Sequence, residues 1–230
     1  MANHGRAGNH TADLESLYPF LYGREGNIDA VLAEVRQSTE RKAAEIVALR
    51  RQVLDHYADQ LAQCAEKMAA GFVAGGRLFA FGNGGSSTDA QDVVSTFLNP
   101  PSTIDGTARP LPALCLTNDI AVVTALSNDV GFDVIFAREL AASARAGDIA
   151  VGLSTSGNSA NLVAAFEEAS RRGLITVGLA GYDGGAMARL DTIDYLFVVS
   201  SASVHRIQEA QTTIYHVLWE LTQRALLAQA

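Results

Sequence analysis

Hydrophobic positions follow one pattern in the first third of the chain and a different pattern after it. Between about 28 and 74, apolar residues recur at three- and four-residue steps, which predicts a long helical segment. Gly75-Gly76 ends that segment, and short apolar runs then alternate with further helical stretches. The apolar runs predict strands at 77–81, 113–116, 149–153, 175–179 and 195–199. The later helical stretches lie at 88–98, 120–127, 134–144, 160–172 and 204–227.

Strands that alternate with helices in this way predict a parallel sheet with helices on both faces. We therefore expect an α/β fold, a doubly wound parallel sheet sandwiched by helices, with a long N-terminal helical extension. Residues 1–27 mix Gly, His, Asn and Arg without a period, so we expect a flexible tail there and a single domain over 28–230. The long first and last helices carry more apolar surface than one small sheet needs, which favours self-association through a helical bundle.

Two loops of small residues each follow a predicted strand and precede a predicted helix. Their sequences are GNGGSS at 82–87 and STSGNS at 154–159. In a doubly wound sheet both loops would lie at the carboxyl ends of strands, where a helix start presents free N–H groups and a positive dipole end. Neither loop contains Lys or Arg, and the GKS or GKT ending of a P-loop is absent. The pattern therefore favours a phosphorylated small molecule over a nucleoside triphosphate with its magnesium.

Two other interpretations of the first loop stay open. Gly82 and Gly84 could begin a dinucleotide-binding fingerprint, since Asp119 follows a second strand, but Ser87 stands where the third glycine belongs. The glycines could also serve only a tight turn between strand and helix. The second loop favours phosphate binding, because five of its six side chains carry a hydroxyl or an amide, more than a turn requires.

Overall charge and composition argue against several classes of function. The net charge of −8 makes nucleic acid an unsuitable partner, because binding a polyanion requires a basic patch. Cys64 and Cys115 lack CxxC spacing, which argues against a zinc ribbon or a disulfide framework, and we expect reduced, buried thiols. No apolar run reaches the roughly 20 residues that span a bilayer, so we expect no membrane association. The polar N-terminus does not resemble a signal sequence, and we expect a cytoplasmic protein.

Five ordered motifs together resemble the SIS (sugar isomerase) domain family. They are NGGS at 83–86 followed by DA at 89–90, SND at 127–129, LSTSGNS at 153–159, GYDGG at 181–185 and RIQE at 206–209. Within that family the chain is most similar to phosphoheptose isomerases, over about residues 28–227. Those enzymes interconvert sedoheptulose 7-phosphate and D-glycero-D-manno-heptose 7-phosphate. The resemblance implies a five-stranded parallel sheet and a homotetramer whose sites are shared between subunits.

The resemblance also implies which residues bind the substrate. Residues of the second loop would hold the phosphate, and residues of the first loop would lie beside it. The two sets are Ser154, Thr155, Ser156 and Ser159, and Asn83, Gly84, Gly85 and Ser86. Asn128 and Asp129 would contact sugar hydroxyls, and Gln208 would contact the substrate as well.

The catalytic positions depart from the family pattern. The family carries His and Glu four residues apart on the helix after the first loop, and Gln and His eight residues apart on the last helix. These four hold a zinc ion and supply the base and the acid. This chain keeps Gln208 and His216, but Asp92 stands where the His belongs and Thr96 where the Glu belongs. We expect His216 as the acid, with Gln208 and Asp92 placing the substrate or a zinc ion.

Each of these residues could also have an ordinary structural role. Asp92 could act as a metal ligand or a displaced base, or it could be an ordinary solvated carboxylate. His216 taken alone could be a core or interface residue. Thr96 cannot serve as a base unaided.

Two functions are therefore kept in view. One is a phosphoheptose isomerase, or an isomerase of a related ketose phosphate, that works through an enediol. The alternative is a non-catalytic SIS module that binds a sugar phosphate or a nucleotide sugar and a protein partner, as some family members do. Loss of the His/Glu pair beside intact phosphate loops favours the alternative, whereas the resemblance along the whole chain favours the isomerase.

Overall fold

The structure is a computed structural model that describes residues 28–100 and 108–228. The predicted tail over 1–27 lies outside the described residues. By its contacts the chain divides into two units, one that ends at Ala44 and one that begins at Glu45. In the described part of the chain, no helix combines the length and the hydropathy that crossing a bilayer requires.

Helices and strands alternate along the described residues, as the hydrophobic pattern predicts. The strands are β1 (Leu78–Gly82), β2 (Ala113–Cys115), β3 (Ile149–Leu153), β4 (Ile175–Gly181) and β5 (Tyr195–Val199). The α-helices are α1 (Ile28–Val73), α2 (Gly85–Leu98), α3 (Ile120–Asp129), α4 (Ile135–Ser143), α5 (Ala160–Arg171) and α6 (Val204–Ala228). Short 3-10 turns occupy Phe132–Val134 and Met187–Arg189.

The five strands form one parallel sheet in the order β2-β1-β3-β4-β5. Strands β1, β3 and β4 are buried along their whole length, which is why they read as continuous apolar runs. The predicted doubly wound α/β fold is confirmed.

Each face of the sheet has its own hydrophobic cluster. On one face, Met68 of α1, Phe97 of α2 and Ile214 of α6 pack over the strands. On the other face, Phe81 lies between Phe136 and Phe166, with ring centroids 5.4 Å away in each direction. Burying each such ring contributes roughly 1.5–3 kcal/mol, so the two clusters hold the helices firmly on the sheet. Both cysteines are free and buried, as predicted.

Helix α2 begins three residues earlier than the sequence predicts. The Ser86 N–H donates to the Asn83 carbonyl and the Ser87 N–H donates to the Gly84 carbonyl, so the turn closes directly after the strand. Gly84 has φ +56°, a conformation that favours glycine and lets the chain enter the helix at once. Residues 85–87 therefore form the first turn of the helix rather than a loop.

Candidate active site

The candidate site lies at the carboxyl edge of the sheet, between β1 and β3. From β1 the chain continues to β2 on one side, and from β3 it continues to β4 on the other side. Ligands of doubly wound sheets bind where the strand order reverses in this way. Gly82 is in register with Leu153, so the loops after both strands leave the sheet at the same level.

A small cavity of about 110 Å³ opens between these two loops. We call it the polar cup, and its lining residues are Asn83, Ser86, Leu153, Ser154, Thr155, Ser156 and Ser159. Six of these side chains carry a hydroxyl or an amide, and none carries a charge. The structure therefore brings together the predicted polar residues of both loops. Their chemistry suits an anion held by neutral donors.

Two helices begin at the polar cup without a side-chain cap. Gly84 occupies the N-cap position of α2 and Ser159 that of α5, and neither helix start has a side-chain cap hydrogen bond. In the first turn of α2 the Ser86 and Ser87 N–H groups are bonded to main-chain carbonyls, so these helix starts act on an anion mainly through the partial positive charge of the helix dipole. The cup thus gains favourable potential from two directions although no Lys or Arg lines it.

Hydrogen bonds inside the loop after β3 fix the shape of the cup. The Gly157 N–H donates to Ser154 Oγ over 2.9 Å, and the Asn158 N–H donates to Ser156 Oγ over 3.2 Å. Each hydroxyl accepts a bond in this way and keeps its own proton for an anion. Gly157 has φ +66°, and a β-carbon there would overlap the Gly184 carbonyl oxygen. Only glycine fits this position.

A pair of amides, not identified from the sequence, joins the two loops. Asn83 Nδ2 donates to Asn161 Oδ1 over 2.9 Å, and Asn161 Nδ2 donates back to Asn83 Oδ1 over 3.0 Å. Asn161 is buried, so this reciprocal pair fixes the spacing between the loops.

Helix α6 adds another link, because the buried Gln211 donates from Nε2 to the Ser154 carbonyl oxygen over 3.2 Å. A polar residue in the apolar stripe of α6 is the signal that could have identified Gln211.

A wider cavity of about 310 Å³ lies between the first turns of α2 and α6. We call it the α2–α6 cleft, and it is lined by Gly85, Thr88, Asp89, His205, Gln208, Glu209 and Thr212. Gln208 Nε2 donates to Asp89 Oδ2 over 3.3 Å, which holds the amide directly above Gly85. Burial raises the pKa of Asp89; the bond from Gln208 opposes that shift, and the charge of Asp92 adds to it.

Asp92, one turn beyond Asp89 on α2, meets α6 at two consecutive residues. The Tyr215 O–H donates to Asp92 Oδ2 over 2.6 Å, and His216 Nε2 lies 3.4 Å from the same oxygen. The side chains of Asp92 and His216 are 50% and 45% exposed, whereas Tyr215 is buried. Thr212 lines both the α2–α6 cleft and a neighbouring cavity of about 510 Å³ that His216 lines. The structure thus brings together Asp92 and His216 and adds Tyr215.

Thr96 does not join this group. Its side chain is buried on α2, and a threonine hydroxyl is no base near neutral pH. The ionisable groups that α2 presents towards α6 are therefore Asp89 and Asp92.

Asn128 and Asp129 lie at the end of α3, where both are exposed. Asn128 Nδ2 donates to Asp129 Oδ1 over 2.8 Å, so the two side chains bond to each other. Their contact with sugar hydroxyls stays a prediction.

The donors around Asp92 fit a zinc ion poorly. Asp92 Oδ2 already accepts a short bond from Tyr215, and the Gln208 amide is bonded to Asp89. Across the ranges 28–100 and 108–228, no group of three or more His, Cys, Asp and Glu side chains could hold a metal ion. Zinc sites in proteins use about three or four nitrogen, sulfur or carboxylate ligands. Zinc stays a prediction from the sequence.

The fold and the cup at its switch point define a class of protein. A model of the SIS domain family matches residues 43–181, which is more than half of the chain. The chain therefore belongs to the SIS domain family.

Relatives within that family carry the name phosphoheptose isomerase. The one from Roseiflexus sp. strain RS-1 is 37% identical over 80% of this chain and 90% of its own length. The one from Geobacter sulfurreducens is 40% identical over 86% of this chain and 98% of its own. The solved structure of the phosphoheptose isomerase from Neisseria gonorrhoeae has a TM-score of 0.74 and 33% identity, and covers 83% of this chain and 99% of that chain. This chain is similar to phosphoheptose isomerases along most of its length.

Proposed function

We propose that this chain is an aldose–ketose isomerase that interconverts sedoheptulose 7-phosphate and D-glycero-D-manno-heptose 7-phosphate. One observation carries the proposal: helix α2 begins at a neutral anion site and, one to two turns further along, brings Asp92 next to His216 of α6. Relatives named phosphoheptose isomerase, at 37% to 40% identity, support the same substrate class.

The spacing along α2 suits a long substrate. Asp92 follows Ser86, which lines the polar cup, by six residues on this helix. At about 1.5 Å of rise per residue, this interval spans roughly 9 Å. A seven-carbon chain with phosphate on its last carbon and the reacting carbonyl near its first can approach both ends. A three-carbon phosphate is too short to do so.

Each part of the site has a role in binding. The polar cup holds the phosphate through its hydroxyls and the two uncapped helix starts. Gln208, held by Asp89 above Gly85, orients the sugar between the cup and the Asp92–His216 pair. Asn128 and Asp129 contact sugar hydroxyls.

Proton transfer uses Asp92 and His216. Asp92 takes a proton from C1 of the ketose while His216, as the imidazolium, donates a proton to the C2 oxygen, which forms the enediol. His216 then takes the proton of the C1 hydroxyl, and Asp92 returns its proton to C2, which forms the aldose. Both side chains end in their starting states, so the cycle balances without a metal ion.

We also infer a homo-oligomer, with a tetramer and shared sites as the family resemblance implies. Val31, Leu32 and Val35 on α1 are each more than half exposed. An apolar stripe of this kind on a helix is typical of an interface between chains. The acidic net charge supports a protein that binds no nucleic acid directly.

One observation favours a second candidate, a non-catalytic module that binds a phosphosugar and a protein partner. Thr96 is buried and stands where the family resemblance implies a glutamate base, whereas the polar cup keeps its six polar side chains. The two candidates differ in turnover and agree in ligand binding.

The experiment is turnover of sedoheptulose 7-phosphate by the purified protein, with and without added zinc. We expect turnover without zinc, and a loss of kcat of about 10²–10⁴-fold in both Asp92→Asn and His216→Ala. Asp191→Asn and His56→Ala are matched controls, because both residues are exposed and lie outside the site. Binding of the sugar phosphate, seen as a thermal shift, with no turnover in any condition would overturn the isomerase and favour the module.

A further inference from the structure

Tyr215 is a buried residue of α6 whose hydroxyl is directed at the candidate base. It is 3% exposed, and its O–H donates to Asp92 Oδ2 over 2.6 Å, which is short for a bond between a hydroxyl and a carboxylate. His216, the next residue, approaches the same oxygen to 3.4 Å from the exposed side. One oxygen of the Asp92 carboxylate is thus contacted by two neighbouring side chains.

This arrangement depends on where Asp92 lies relative to α6. Consecutive residues of an α-helix point about 100° apart, so Tyr215 and His216 diverge from their shared backbone. Both can reach Asp92 only because the carboxylate comes from α2 at the boundary between the buried and exposed sides of α6. Tyr215 therefore holds the carboxylate from the interior, and His216 faces it from the exposed side.

The geometry leaves one oxygen of Asp92 for the substrate. Both contacts recorded for the Asp92 carboxylate within the described residues involve Oδ2. Oδ1 is left without a bond to these groups, on a side chain that is half exposed. Burial raises the pKa of Tyr215, and the bond to Asp92 raises it further, so the phenol keeps its proton and remains the donor in this bond.

We propose that Tyr215 is a positioning residue that fixes the Asp92 carboxylate so that Oδ1 can take the substrate proton. This inference rests on the proposed isomerase function. An aspartate has little reach, and a misplacement of about 1 Å can cost a hundredfold in rate, so a fixed orientation matters more here than for a longer side chain. Tyr215 thereby supports a base at a position where the family resemblance places a histidine.

The test compares Tyr215→Phe, Asp92→Asn and the double variant in turnover of sedoheptulose 7-phosphate. Tyr215→Phe keeps the buried ring and removes only the donor, and we expect kcat to fall about tenfold to a hundredfold with KM changed less than about twofold. The double variant should match Asp92→Asn, because Tyr215 acts through Asp92. Tyr57→Phe is the matched control, since the Tyr57 hydroxyl accepts a bond from the Val198 N–H and lies outside the site.

Each outcome bears on one of the two proposals. A purely structural role for Tyr215 would lower the melting temperature of Tyr215→Phe and leave kcat near that of Tyr57→Phe, which would overturn the inference alone. Losses that multiply in the double variant would also overturn it, because they would place Tyr215 in an independent role. No turnover by the unmodified protein would overturn the isomerase and, with it, the role of Tyr215.

Discussion

The polar cup and the Asp92–His216 pair both draw on helix α2 but are built in different ways. The cup comes from two short segments that contribute six polar side chains and two helix starts. The pair is made of two side chains from α2 and α6, which are far apart in the chain. A site with many neutral donors can lose one of them and still bind an anion, whereas one substitution removes half of the pair. The family resemblance fits this contrast, because it implies intact phosphate loops and altered residues at Asp92 and Thr96.

The contrast implies that binding and turnover respond to different substitutions. Changes in the cup should alter stability and KM, because the phosphate is held equally in the ground state and the transition state. Changes at Asp92, His216 or Tyr215 should alter kcat. A variant that violates this division would show that the two regions act as one unit.

The largest effect on stability is expected for Gly157→Ala, which disturbs the main chain of the loop after β3. The new β-carbon would overlap the Gly184 carbonyl, and φ +66° adds strain, so we expect a loss of about 3 kcal/mol or more in the free energy of unfolding. Urea unfolding measures this loss of stability. Gly75→Ala is the matched control, because Gly75 has φ +84° and nothing within 4 Å of a β-carbon. Its loss should be only about 1–2 kcal/mol, and equal losses in both variants would contradict the steric argument.

A smaller effect on stability is expected for Asn161→Ala. This change removes the amide pair between the two loops and places no larger side chain in the polar cup. The change leaves the Asn83 amide without its buried partner, at a cost of about 1–3 kcal/mol in stability. We expect KM for sedoheptulose 7-phosphate to rise about tenfold with little change in kcat. Steady-state kinetics measure both constants, with the exposed Asn99→Ala as control. A fall in kcat at unchanged KM would contradict the expectation that the cup determines KM and the pair determines kcat.

The fold and the polar cup could be predicted from the sequence because both depend on patterns within short segments of the chain. Strands buried on both faces appear as unbroken apolar runs, and a loop of hydroxyls at a helix start has a direct chemical meaning. The early start of α2 escaped prediction because the GGSS sequence is typical of a loop, whereas the positive φ of Gly84 turns it into a first helical turn.

The links between distant segments were the part that sequence reasoning missed. Tyr215 follows Ile214 in the apolar stripe of α6 and is typical of a core residue until its partner is known, and that partner lies 123 residues away. The Asn83–Asn161 pair crosses 78 residues in the same way. Pairing of this kind depends on tertiary packing, which periodicity and composition do not encode.

The smallest effect is expected in the pH dependence of stability, and it comes from Glu139 on α4, outside both the cup and the pair. Burial, with a further contribution from Asp119, raises the pKa of Glu139 to about 7, and one of its carboxyl oxygens is buried with no partner among the described residues. Between about pH 4.5 and 7 the folded state therefore binds a proton that the unfolded state does not, so the stabilisation is complete below that window and is lost as the pH rises through it.

Glu139→Gln tests this and sharpens the comparison, because a loss of folded protein with rising pH would otherwise be mistaken for a change in kcat. The variant should match the unmodified protein near pH 4.5 and exceed it at pH 8 by about 1–2 kcal/mol of unfolding free energy, after allowance for solvent screening of a half-buried group. Urea unfolding at both pH values measures the difference, and the exposed Glu167→Gln should give none. An equal offset at both pH values would assign the effect to packing and would contradict the raised pKa of Glu139.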